Sequence, residues 1–122
     1  MHPPVFSLLN TPVICSYVGS SPVRIFDFGI APPNVARPYI VFNQVAGNPF
    51  ANVSDAPCAD FDLMQIDMYS DDRAQIRALS KEVRSVLDAA GVFNRLTMQV
   101  YEPDTGLFRI GFDADFVTIR AP

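Results

Sequence analysis

The chain has 122 residues, of which 49% are hydrophobic and 18% charged, and a formal net charge of −4. That acidic balance excludes a protein that grips nucleic acid by neutralising its phosphates, but not one past which DNA slides. The length fits one domain, residues 1–122, which buries roughly two-thirds of its unfolded surface unaided. An apolar share this high in so small a domain fits surface covered by other chains, or a well-filled core with a few apolar loops. Nothing approaches the roughly 20 apolar residues of a membrane-spanning helix. The start MHPPVFSLLN has no basic stretch or long apolar run, so no signal peptide is expected. Cys15 and Cys58 lie far apart with no C-x-x-C, which reads as two thiols in a reducing compartment.

In chain order, residues 4–10 allow two helical turns after the prolines. A second short helix is expected over 11–19, with Thr11 as cap, Pro12 in the first turn and Gly19 at the exit. Residues 22–28 form a strand candidate, and 29–38 are turn-rich and extended. Residues 39–47 read as a strand apolar on both faces: Tyr39, Val41 and Val45 on one, Ile40, Phe42 and Ala46 on the other. Residues 48–59 read as a loop long enough to suggest a binding role, with Phe50 and Val53 to bury. In 60–69, Met64, Ile66 and Met68 share one face and Leu63, Gln65, Asp67 and Tyr69 the other.

Ser70 is then placed to cap a helix whose apolar stripe runs through Ile76, Leu79, Val83, Val86, Leu87 and Ala90, with Gly91 ending it. Strands follow at 95–102 and 107–119 around Pro103-Asp104-Thr105-Gly106. In the second of them Phe108, Ile110, Phe112 and Phe116 face one way, and Arg109, Asp113 and Asp115 the other. The order predicts an α+β two-layer sandwich: a mostly antiparallel sheet covered on one face by one long helix and short N-terminal helices.

Candidate chemistry is sparse. Asp104-Thr105-Gly106 matches the triplet that carries the catalytic aspartate of aspartic proteases, some of which are dimers of chains of about this length. Yet Pro, Asp, Thr and Gly between two alternating strands are turn formers, and an aspartate on a solvated turn has nothing to attack. The only histidine, His2, cannot build a triad or a metal site, and Asp60, Asp62 and Asp67 read as surface carboxylates. No P-loop lysine or G-x-S-x-G is present. No catalytic, cofactor-binding or metal-binding residue is expected.

Arg73, Arg77, Lys81 and Arg84 recur at helical spacing and line one ridge. Like charges at that spacing cost a few tenths of a kcal/mol per pair. They read either as a solvated face or as the counterpart of an acidic partner surface, such as another copy of this acidic chain.

The order of the pieces resembles the tail-completion, or tail-terminator (head–tail joining), proteins of long-tailed phages. The resemblance is carried by FSLLNTPVICSYVG, VRIFDFGIAPPNVARPYIVFNQVAGNP, MQIDMYSDDRAQIRALSKEVRSVLDAAG and YEPDTGLFRIGFDADF. It implies a non-enzymatic virion protein assembled in the host cytoplasm. Such a protein forms a ring, typically hexameric, at the head-proximal end of the tail tube. It ends tube growth and meets the head connector or neck protein, while DNA passes through without specific binding. The resemblance implies no cofactor, metal or membrane. On this reading Phe50, Val53, Arg73, Arg77, Lys81 and Arg84 are candidate subunit contacts. The competing readings are a dimeric protease using Asp104 and a monomeric neck or adaptor protein of similar fold.

Overall fold

A computed structural model describes residues 3–49 and 59–119. Its elements run α1 (Val5–Leu9), α2 (Pro12–Val18), β1 (Ile25–Phe26), β2 (Tyr39–Pro49), β3 (Ala59–Ser70), α3 (Arg73–Ala89), β4 (Phe93–Glu102) and β5 (Leu107–Ile119). The strands form one sheet in the order β1-β2-β3-β5-β4. Every pairing is antiparallel except that of the two-residue β1 with β2. This is the α+β architecture that the order of elements predicts.

Side-chain alternation decides which face meets the helix. Ile40 pairs with Met68 and Phe42 with Ile66; Met68 pairs in turn with Ile110, and Ile66 with Phe112. Cross-strand partners share a face. Against this apolar face α3 lays Ile76, Leu79, Val83 and Leu87, all buried in the same core. Each such side chain stabilises by about 1.5–3 kcal/mol on burial, more than helix propensity supplies. The short helices close one end of the core with Val5, Leu9, Ile14 and Val18. As expected, Thr11 Oγ1 accepts from Ile14 N at 3.3 Å, Pro12 opens α2, and Gly19 leaves it at φ 79°.

Four local expectations are corrected. The strand expected over 22–28 shrinks to Ile25–Phe26, because the backbone turns at Asp27 and Phe28 adopts φ 61°. Ser70 is still the last residue of β3, and the cap is Asp72, whose Oδ1 accepts from Gln75 N at 3.1 Å. Ser70 supports that cap from beneath: its Oγ accepts from Asp72 N at 3.0 Å and donates to Gln75 Oε1 at 2.8 Å. Ala90, assigned to the buried stripe, lies past the last turn of α3 and is exposed. The expected loop 48–59 is shorter, since β2 runs to Pro49 and β3 begins at Ala59. Phe50 and Val53 lie outside the described residues.

Candidate interaction surface

The Asp-Thr-Gly triplet is a turn. Gly106 N donates to Glu102 O at 2.9 Å and Thr105 N to the same carbonyl at 3.3 Å, which closes the β4–β5 hairpin with Gly106 at φ 72°. Asp104 is exposed at its tip. Among the described residues no group of three or more His, Cys, Asp or Glu side chains converges to hold a metal ion.

The face of the sheet turned away from α3 carries a polar network. Arg109 Nη2 donates to Asp67 Oδ2 at 3.1 Å, and Gln65 Nε2 donates to the same oxygen at 3.2 Å. The guanidinium also lies 3.8 Å from Glu102 Oε2 and 5.6 Å from the centroid of the Tyr69 ring. Tyr69 stacks on Tyr39 with ring centroids 5.0 Å apart. Burial pushes the Tyr69 phenol up to about 12; the Arg109 charge opposes the shift, while Asp67 and Glu102 add to it. Burial likewise raises Tyr39, against the pull of Arg37. In Arg109 burial works against the charge. The hydrogen bond and charge of Asp67, helped by Tyr69 and Glu102, outweigh it and hold the guanidinium above its ordinary value. Two of the expected surface carboxylates are therefore corrected: Asp67 is buried although it stands on the face away from the helix, and Asp62 is buried with its Oδ1 accepting from Gln44 Nε2 at 2.9 Å.

Gly111 makes that arrangement possible. A Cβ there would sit 2.5 Å from Asp67 Oδ1, closer than such atoms approach, so any side chain would displace the carboxylate.

The helix side has a different character. The predicted ridge exists, and two of its charges rest on rings: Arg73 Cζ lies 5.5 Å from the Phe108 centroid and Arg84 Cζ 5.7 Å from that of Phe112. Among the described residues none of Arg73, Arg77, Lys81 and Arg84 forms an ion pair. Beneath the ridge a groove runs between α3 and β4. Arg73 and Arg77 stand over a hollow of about 240 Å³ with Phe108 and Ile110 at its base. Arg77, Lys81 and Arg84 stand over the adjoining hollow of about 370 Å³, across from Leu96 and Gln99.

The far wall of that groove is the edge strand β4, the feature that sequence reasoning missed. Its apolar side chains are exposed on both faces. Phe93 (68%) and Val100 (44%) lie on the open face, and Leu96 (48%) and Tyr101 (53%) on the helix face. A long edge with such a surface is a template for another chain unless something blocks it. Within β4 the breaks are a register shift at Thr97 and the cation of Arg95, which is drawn to Asp113 and Asp115. In RLTMQVYE strict alternation puts Leu96, Met98 and Val100 on one face; the register shift at Thr97 breaks that alternation and sends Leu96 and Val100 to opposite faces, which the sequence pattern does not announce.

The family model described as tail completion protein gp17 matches residues 5–119. A comparison with curated protein sequences returns no match. Among solved structures, a chain from the virion of a native gene transfer agent (GTA) particle superposes with a TM-score of 0.64. That alignment covers 93% of this chain and 91% of the other at 17% identity, a level at which the likeness establishes the fold alone.

Proposed function

The chain belongs to the tail completion protein gp17 family, and from that premise we propose that this structural protein of the phage tail assembles as a ring of identical copies at the head-proximal end of the tail tube. There it ends tube growth and meets the head connector, and its acidic balance lets DNA pass without being held. It needs no cofactor and performs no catalysis. Ring symmetry suits a typical hexamer assembled in the host cytoplasm.

The observation that carries this reading is the β4 edge, apolar on both faces and unpaired on its outer side among the described residues. Such a surface is costly in a free protomer and is covered once copies associate. The basic ridge supports it, because four positive charges without an acidic partner among the described residues can find one on an acidic neighbour. Phe50, Val53, Arg73, Arg77, Lys81 and Arg84 are the proposed subunit contacts.

The test is native mass spectrometry over a wide concentration range, with negative-stain images of the same samples. A closed ring with a central hole is the expected result. A protein that stays monomeric to millimolar concentration overturns the ring and leaves an adaptor of the same fold.

A further inference from the structure

Directly after β1 the chain makes a turn, Asp27-Phe28-Gly29-Ile30, at the end of the sheet opposite β4. Phe28 adopts φ 61°, a left-handed conformation that bulky L-residues rarely adopt. Two hydrogen bonds hold it there: Phe28 N donates to Asp27 Oδ1 at 2.6 Å, and Gly29 N donates to Phe42 O at 2.9 Å. The product of this strain is exposure. Phe28 is 81% exposed and Ile30 72%, the two most exposed large apolar side chains of the described residues. Burial in the protomer does not repay that conformation. Backbone strain held in place by its surroundings concentrates where a protein contacts something else. Beside the two apolar side chains stands the exposed carboxylate of Asp27, which makes no ion pair among the described residues.

The groove at the other edge has the complementary properties. Its wall is basic, its floor is apolar, and Leu96 and Tyr101 leave half their surface uncovered along it. Four of the nine Lys and Arg residues stand on that wall, which leaves five against thirteen acids on the rest of the chain. Away from its own ridge a second copy is acidic on balance, and the turn joins the Asp27 carboxylate to the apolar half of the match.

We propose that the Asp27–Ile30 turn of one copy seats in the α3–β4 groove of the next, with Phe28 and Ile30 against Leu96 and Tyr101 and the Asp27 carboxylate between Arg77 and Lys81. The proposal rests on the self-assembly reading above and gives it a direction. The two patches are unlike and lie on opposite edges of one sheet, so a patch that meets its own copy across a two-fold axis does not satisfy them. A head-to-tail contact does, and repeated it either closes into a ring or runs on as a filament.

Complementation by mixing tests it. The donor variant carries Phe28→Gly and Ile30→Ser, and Phe28→Gly removes the ring and its strain together. The acceptor variant carries Arg77→Glu and Lys81→Glu, both at exposed positions. Circular dichroism confirms that each is folded, and native mass spectrometry reads the assemblies. Each variant alone is expected to be monomeric. An equimolar mixture is expected to form a heterodimer and nothing larger, because one intact turn then meets one intact groove. If either variant alone assembles as the unmodified chain does, or the mixture stays monomeric, this pairing is wrong while the ring formed by the unmodified chain still stands. If the unmodified chain itself never associates, the ring and this pairing fall together.

Discussion

Arg109 on β5 and Asp67 on β3 form an ion pair of 3.1 Å on the face of the sheet that the helix does not cover, with the carboxylate almost fully buried. Removing the cation strands a charge that has already lost its water. Arg109→Met is therefore expected to destabilise the fold by about 3 kcal/mol, within the range for breaking a buried pair. Replacing both partners, Arg109→Met with Asp67→Leu, should recover much of that loss. Denaturant midpoints of the two variants decide the matter. Equal midpoints would mean that Arg109 contributes by packing and not by answering Asp67.

Tyr69 sets an alkaline limit. Its phenol is raised from 10.0 to about 12 in the folded chain, chiefly by burial. The folded state therefore holds that proton more tightly than the unfolded state. The corresponding stability is complete below pH 10 and is lost as pH rises from 10 towards 12. A phenolate absorbance titration of the four tyrosines should include a step with a midpoint near 12, and Tyr69→Phe should remove that step. The same variant should flatten the fall in stability over that interval.

Phe28→Gly separates strain from contact. Glycine occupies φ 61° without the penalty of about 1–2 kcal/mol that a side chain incurs there. Since the ring is largely exposed, little burial is lost. The protomer should become more stable by up to about 1 kcal/mol, visible as a higher Tm in scanning calorimetry under monomeric conditions. A lower Tm would show that the ring supports the protomer itself.

Asp104→Asn should leave stability within about 0.5 kcal/mol of the parent, as for a surface position without partners. Asparagine also suits a turn. Particles assembled with this variant should have normal tails by electron microscopy. Loss of function with the fold intact would reopen a chemical role for this carboxylate.

Much of the fold was legible because period-2 and period-3.6 patterns report burial directly. Met64, Ile66 and Met68 alternate, and Ile76, Leu79, Val83 and Leu87 follow a helical stripe; both sets lie in one core. The hairpin around Asp104 was legible from turn chemistry. What pattern could not supply was anything decided by tertiary geometry. Ser70 and Asp72 are both good capping residues, and only the end of β3 determines which one caps α3. Arg73 and Arg84 read as charges of a ridge, solvated or facing a partner, and only β5 places Phe108 and Phe112 beneath them. The exposed turn at Phe28 looked like part of a strand, since its apolar residues fit alternation and its backbone strain leaves no trace in composition. The ridge was legible as a ridge, but not the groove that gives it an opposite wall.

The strand order has a consequence for biosynthesis. β3 pairs with β2 on one side and β5 on the other, yet α3 and β4 intervene in the chain between β3 and β5. A nascent polypeptide that has already emitted α3 still has one flank of its central strand unzipped, with Ile66 and Met68 lacking the neighbours that Phe112 and Ile110 supply. Closure waits until Leu107 onward has cleared the ribosome. A ribosome stalled on β4 would present the quality-control machinery with a half-sheet whose central strand has one open flank.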